Sequence, residues 1–422
     1  MVVNHREKYY NTYKDSLAIP APTAEYLNAI KGEHIMYRIG QEEIEAVTKV
    51  IEQRSLFKIN KKLQETMHAE EEARALFETK NALLMTSGHA ALTSALIGMG
   101  IGPGDEVIVP AYTYISTAMA VVAAGAMPVI AEADETLTLC PIDTERKITP
   151  RTKAIIPVHI QGFPSNMDAL MALADKYGIK VLEDACQADG GSYHGKRLGT
   201  VGHAGALSFN YYKVITAGEG GALLTDDKTI FERALIYHDS SAVAYFGNQL
   251  EDVETNLFCG NEYRTNEISS AILRVQMRRL DGILADLRRC KRTMMEALAD
   301  ACTFIPSNDI EGDCGTTLAL RFDTAEKAAA FATAEGIGGT VPINTGKHVY
   351  CNWTPIMNKV GALHPLMDPF KMEANRDIVP DYRADMCPKT LDLLARTVYI
   401  SIDPDWTEEA LQAKIEAIRR AL

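Results

Sequence analysis

The chain has 422 residues, 47% hydrophobic and 23% charged, with 43 basic against 56 acidic side chains and a net charge of −13. That length buries a core without disulfide or metal staples, which excludes a wholly disordered chain. The acidic balance excludes nucleic acid and a membrane surface as main partners, since both call for a basic face. A small anion can still be held by a local nest of backbone N–H groups.

Residues 1–16 are polar and carry no apolar signal core, and residues 1–35 show no periodic pattern. A helix is predicted after Gly40, with Glu42 and Glu43 in its first turn and Ile44, Val47, Val50 and Ile51 as its buried stripe. From Asn81 the pattern is α/β. A strand over 82–85 meets the turn Thr86-Ser87-Gly88-His89, and a helix over 90–99 is stopped by Gly100 and Gly102-Pro103-Gly104. Strands are predicted over 106–109, 127–130, 154–158, 180–183 and 222–225, and helices over 116–124 and 167–177. The apolar stretch 115–131 is broken by Gly125 and Pro128 and is too short to cross a bilayer. Alternating strands and helices demand right-handed crossovers, hence a mostly parallel central sheet with helices on both faces.

A long helix follows over 266–298, with Ile268, Ala271, Ile272, Val275, Met277, Leu280 and Leu284 as its apolar stripe. Short strands and helices alternate from Phe304 onward. The last helix is capped by Thr407 and has Glu408 and Glu409 in its first turn. The expected organisation is a large domain over 40–260 and a smaller C-terminal α+β domain over 261–422, with residues 1–39 packed nearby. None of the eight cysteines is spaced C-x-x-C, which reads as reduced thiols in a cytoplasmic protein without a metal site.

Four features carry chemistry. Gly88 and His89 open a helix after a strand, where free backbone N–H groups face an anion. Tyr114 follows a buried strand and can lie flat against a ring. Asp184 ends a buried strand, where open parallel sheets bind ligands, and an acid there can hold a protonated ring nitrogen. Lys213 sits between aromatic and apolar neighbours ahead of Gly218-Glu219-Gly220-Gly221, a setting that suits a nucleophilic lysine. Ser208 adds a hydroxyl to the anion site. Each feature alone has an ordinary structural reading: turn, packed tyrosine, helix cap or surface lysine. Together they suit pyridoxal phosphate (PLP), whose ring is an electron sink when its nitrogen is protonated.

Their order resembles the DegT/DnrJ sugar aminotransferases, which have the fold-type I PLP architecture. The matching stretches are Ser87-Gly88-His89-Ala90-Ala91-Leu92, Gly104-Asp105-Glu106-Val107-Ile108-Val109-Pro110, Glu183-Asp184-Ala185-Cys186-Gln187-Ala188, and Ser208-Phe209 through Lys213 to Gly221. The resemblance covers residues 40–300 closely and the rest loosely. It implies that Lys213 carries PLP as a Schiff base and moves the substrate proton. Asp184 then pairs with the ring nitrogen, Tyr114 stacks on the ring, and Gln187 lies near the ring oxygen. Gly88, His89 and Ser208 hold the phosphate. It also implies a homodimer with shared active sites, in which segment 260–267 of the second subunit completes the phosphate site. Two positions depart from the family pattern. His89 stands where a threonine is usual. Glu262 stands where an asparagine is frequent, which shifts the cross-subunit contact to Arg264.

Residues 342–354 gather Lys347, His348, Tyr350 and Trp353. They read either as a packed loop or as a substrate loop in which Lys347, His348 and Tyr350 meet a keto sugar. The implied reaction moves an amino group from glutamate or glutamine to a keto or aldehyde group of a nucleotide-linked sugar, a cyclitol or an 8-oxo-octulosonate. Two other readings are a PLP-dependent or pyridoxamine-phosphate-dependent sugar dehydratase and a PLP-binding regulator without turnover. The dehydratases carry histidine in place of Lys213, and the acidic chain shows no basic helix–turn–helix.

Overall fold

The computed structural model describes residues 38–246 and 253–422. The expected packing of residues 1–39 therefore falls almost wholly outside the described residues.

Seven strands form the central sheet: β1 (Asn81–Met85), β2 (Glu106–Pro110), β3 (Met127–Ala131), β4 (Thr152–Ile155), β5 (Lys180–Asp184), β6 (Ala204–Ser208) and β7 (Gly221–Thr225). Their spatial order is β1-β7-β6-β5-β4-β2-β3. The run from β6 to β3 is parallel throughout, and β7 lies antiparallel to both β1 and β6. Successive side chains alternate between faces, so an uninterrupted apolar strand needs cover on both. Leu83, Val107, Leu182 and Leu223 join one core, while Leu84, Ile108, Val181 and Leu224 join the other.

The helices follow from the same logic. α1 spans Gln41–Glu52, α2 Glu65–Phe77, α3 Gly88–Gly98, α4 Ser116–Ala123, α5 Met167–Tyr177, α6 Lys228–His238 and α7 Glu267–Ala297. α3 is apolar nearly all round and lies between the sheet and α6. α7 is about 46 Å long at 1.5 Å per residue. Its cap Asn266 accepts hydrogen bonds from Ile268 N and Ser269 N. Its first residue, Glu267, is fully buried and accepts from Glu65 N and Thr66 N, so one carboxylate satisfies the orphan donors that start α2. Antiparallel strands β8 (Thr317–Arg321) and β9 (Thr397–Ser401), with α8 (Glu408–Ala421), lead the C-terminal part. Thr407 caps α8 as expected, accepting from Ala410 N.

Two expectations are corrected. The stripe of α1 is split: Val50 is buried and Val47 half-buried as expected, whereas Ile44 and Ile51 are 59% and 56% exposed and Glu43 is buried in their place. The cause is ionic. Glu43 accepts from Gly40 N and Gln276 Nε2 and pairs with Arg279, which also pairs with Glu42, so the polar face of α1 turns toward α7. On α7, Ile268 and Ile272 are only half-buried, and Leu273, Ile283 and Leu287 fill the core instead. The described residues belong to one compact unit, with both cores running from the central sheet into β8 and β9.

Candidate active site

A cavity of about 690 Å³ opens where β1, β2, β5 and β6 end, at the carboxyl edge of the parallel strands. Gly88, His89, Tyr114, Asp184, Gln187, Ser208, Lys213, Lys347 and His348 all line it.

One wall is the start of α3. Ser87 is its extended N-cap and accepts from Ala90 N at 3.1 Å. A Cβ on Gly88 would lie 2.7 Å from Cys186 Sγ and 2.9 Å from Ser208 Cβ, so only glycine lets this helix end approach β5 and β6 so closely. On the other side a Cβ on Gly221 would meet the Ser87 carbonyl carbon at 2.3 Å. The helix N-terminus, with the Ser208 hydroxyl beside it, thus faces the cavity as an anion cradle. The His89 imidazole bonds the backbone of Ser116, and burial pulls its pKa down, so it enters this cradle as a neutral ring.

Asp184 is 5% exposed. Its Oδ2 accepts from Thr117 Oγ1 at 2.7 Å and its Oδ1 from Cys186 N at 3.2 Å. Thr117 Oγ1 is in turn 2.7 Å from Thr113 Oγ1, which gives a buried hydroxyl chain ending on the carboxylate. Burial, reinforced by the Asp184 charge, pushes the neighbouring Cys186 thiol far up, so it stays protonated.

Lys213 stands on a loop closed by backbone bonds from Tyr211 N to Gly218 O and from Ala217 N to Phe209 O. It is half-buried and opens on the cavity rather than being sealed in the core.

The 346–353 segment is strapped to the chain after β2. Thr113 N donates to His348 O, Ile115 N to Lys347 O and Tyr350 N to Ala111 O, each at 3.0 Å. Trp353, fully buried, donates from Nε1 to Lys347 O at 3.0 Å. This ladder sets His348 and Lys347 over Tyr114: the two ring centroids are 5.5 Å apart, and Lys347 Nζ is 5.1 Å from the tyrosine centroid. Burial, and then the charges of Lys347 and Lys213, lower the His348 pKa to about 4.

Tyr350 is corrected: it does not line the cavity. Its hydroxyl donates to Ala384 O at 2.6 Å and accepts from Cys387 N at 3.1 Å, so its hydrogen-bonding capacity goes to the backbone beneath the strap. Arg264 also lies outside the cavity of its own chain. It pairs with Glu262 at 2.6 Å, donates to Asp239 O and covers the Phe57 ring. Its segment is nonetheless adjacent to the α3 cradle, since Thr86 N donates to Tyr263 O at 2.9 Å.

Sequence reasoning passed over Thr117, Gln161 and Thr316. Thr117 follows Tyr114 by nearly one helical turn, a spacing that could have suggested a partner for a nearby acid. Nothing in the sequence marks Gln161 or Thr316, which meet only through the fold. Among the described residues no group of acids, histidines and cysteines is arranged to hold a metal ion.

The pattern describing the DegT/DnrJ/EryC1/StrS aminotransferase family matches residues 37–341. A dTDP-3-amino-3,4,6-trideoxy-alpha-D-glucose transaminase of Streptomyces venezuelae is 44% identical over 215 residues, 50% of this chain and 55% of that protein. The spore coat polysaccharide biosynthesis protein SpsC of Bacillus subtilis is 39% identical over 253 residues, 58% of this chain and 63% of that protein. The chain thus spans a little over half the length of these curated relatives. The crystal structure of 3-amino-5-hydroxybenzoic acid synthase superposes with a TM-score of 0.73 at 27% identity, covering 91% of this chain and 97% of that one.

Proposed function

The chain belongs to the DegT/DnrJ/EryC1/StrS aminotransferase family, whose members work with PLP, and on that premise we propose that it transfers an amino group from glutamate or glutamine to a keto or aldehyde group of a polyhydroxylated acceptor. The observation that carries this reading is that Lys213, Asp184 and the α3 cradle line one cavity.

The residues fit the cofactor. The cradle at Gly88 is one a Cβ would fill, and its N–H groups with Ser208 suit a phosphate. The Asp184 carboxylate has a fixed orientation and suits a cationic ring nitrogen, while the Tyr114 ring offers a flat cover. When bound, PLP supplies an electron sink for the carbon that loses its proton. Lys213 holds the cofactor and then takes and returns that proton. Thr117 and Cys186 N keep Asp184 aimed. Gln187 Oε1 accepts from Gln161 N, a group that can only donate, which fixes the amide orientation and would leave its NH2 end to meet the ring oxygen of the bound cofactor.

Among the described residues no arginine lines the cavity. A bidentate guanidinium clamp is the usual match for a keto-acid carboxylate. Hydroxyl, amide and imidazole groups suit a sugar or cyclitol ring better, with Lys347 and the neutral His348 meeting a hydroxyl or an acidic tail. We assign the enzyme to the cytoplasm on its eight free thiols. No helix among the described residues is long and apolar enough to cross a membrane.

The test separates the two half-reactions. Glutamate or glutamine should bleach the visible absorbance of the loaded enzyme, and a keto-inositol or a thymidine-diphosphate keto-deoxyglucose should restore it. Lys347→Ala and His348→Ala should slow the second step and spare the first. Equal losses in both steps, or none, remove the loop from the acceptor site. An enzyme inert to both donors ends the aminotransferase reading.

A further inference from the structure

Gln161 has the left-handed backbone conformation φ 54°, ψ 22°, which costs a side-chain-bearing residue strain and persists only where the surroundings impose it. Three hydrogen bonds impose it here. Its N–H donates to Gln187 Oε1 at 3.0 Å, its carbonyl accepts from Thr316 Oγ1 at 2.8 Å, and its own Oε1 accepts from Thr317 Oγ1 at 3.1 Å. The first ties it to the turn after β5 and the other two to the start of β8. The residue therefore bridges the sheet that carries Asp184 and the C-terminal part that carries Thr316.

This arrangement has a chemical direction. Oε1 already accepts from Thr317, and the NH2 group beside it is a donor without charge. Gln161 lines the cavity, and so do Val158, Thr316, Thr317 and Ser401. None of these five carries a charge. A carboxylate placed against them would be desolvated without a cation, whereas a hydroxyl exchanges water for an amide N–H at small cost. The cations of the cavity, Lys213 and Lys347, come from other segments, the loop after β6 and the strap.

From this geometry we infer that Gln161 is a specificity-determining residue, donating its side-chain N–H to a ring hydroxyl of the amino acceptor. The inference rests on the aminotransferase reading and adds to it which wall recognises the sugar. A pocket group that hydrogen-bonds a substrate hydroxyl discriminates strongly, because it is left unpaired when the hydroxyl is absent.

Two variants test it. Gln161→Glu keeps the length and the Oε1 acceptor for Thr317 but replaces the donor with a second acceptor. Gln161→Met removes the donor without adding charge. Each half-reaction is followed with cofactor-loaded enzyme, using glutamate or glutamine and then the keto-inositol or the thymidine-diphosphate keto-deoxyglucose. A second readout is calorimetric binding of the same acceptor to Lys213→Ala protein loaded with pyridoxamine phosphate, with and without the Gln161 change. The expected result for both variants is a KM and a dissociation constant for the acceptor raised at least tenfold, with the donor half-reaction within twofold of the unmodified enzyme. Unchanged acceptor constants in both variants overturn the inference and leave the aminotransferase reading standing, as does an equal loss in both half-reactions. Unmodified enzyme that accepts the amino group from a donor but aminates neither acceptor overturns the sugar reading and this inference with it.

Discussion

The Asp184 carboxylate sits at the end of β5 with a hydroxyl on one oxygen and a backbone N–H on the other, so its direction is set before any ligand arrives. Hydrogen bonds to a charged group contribute roughly 1.5–3 kcal/mol, a factor of about ten to a hundred in rate when they act on the reacting state. Asp184→Asn should keep the cofactor yet lose at least a hundredfold in kcat, since an amide carries no charge for the ring nitrogen. Thr117→Val should lose about tenfold, with the fold intact by circular dichroism. Near-normal turnover in Asp184→Asn would remove the aspartate from its role. His348 gives a pH signature. Its folded pKa of about 4 lies below the ordinary 6.5, so the unfolded chain takes up the proton first as pH falls. Its effect on stability is nil above pH 6.5 and grows as a loss down to pH 4, reaching about 3 kcal/mol. In His348→Gln the loss of unfolding free energy between pH 7 and 4.5, measured by urea denaturation, should be smaller by most of that amount. Parallel curves for the two proteins would place the protonation elsewhere.

At the scale of elements, the site depends on α3 entering the sheet edge without a side chain at its first residue, Gly88. Gly88→Ala forces a methyl against Cys186 Sγ and Ser208 Cβ. Overpacking of this kind costs about 1–3 kcal/mol, and the displaced helix end should also weaken cofactor binding. Adding Cys186→Ala removes the nearer of the two contacts and should recover part of the melting temperature. Strict additivity of the two changes would mean that the groups do not meet. The strap is the second decisive element. Its backbone ladder to residues 111–115 puts Lys347 and His348 over Tyr114, and Tyr350 and Trp353 act beneath it as anchors. The spacing of the four residues shows that they are close in the chain. Which of them face the cavity depends on the bonds of Tyr350 to Ala384 and Cys387, thirty-odd residues away.

For the whole molecule, the exposed half of the α1 stripe has a consequence. Ile44, Ile51, Leu56 and Phe57 are all large, apolar and exposed, and Phe57 lies under Arg264, the residue expected to cross into a second subunit. An apolar face beside that contact suits a second copy of this chain. Arg264 does not line the active-site cavity of its own chain, as a cross-subunit role requires. Mixing Lys213→Ala with Arg264→Ala protein should restore up to about a quarter of the activity under random exchange, because one site of each hybrid dimer has both residues intact. No recovery after subunit exchange has been shown by mass spectrometry would place Arg264 within its own chain.

The sequence by itself determined the layered sheet and most of the residues proposed to hold the cofactor. Its apolar runs and turn residues place the predicted strands and helices to within a few positions, though they leave β6, α2 and α6 unmarked; Gly88, Asp184 and Ser208 stand at element ends, where local pattern governs position, and Lys213 on the loop after β6. The tertiary structure alone decided which face α1 buries, because the ion pairs of Glu42 and Glu43 with Arg279 join residues more than 230 positions apart. It also decided the role of Tyr350, through partners outside its own loop, and the strained backbone of Gln161, through Gln187, Thr316 and Thr317. Period and turn chemistry are local quantities and can be read along the chain. Hydrogen-bond partners and ion pairs at long separation depend on which surfaces the folded chain brings together, and a single sequence holds no local signal for them.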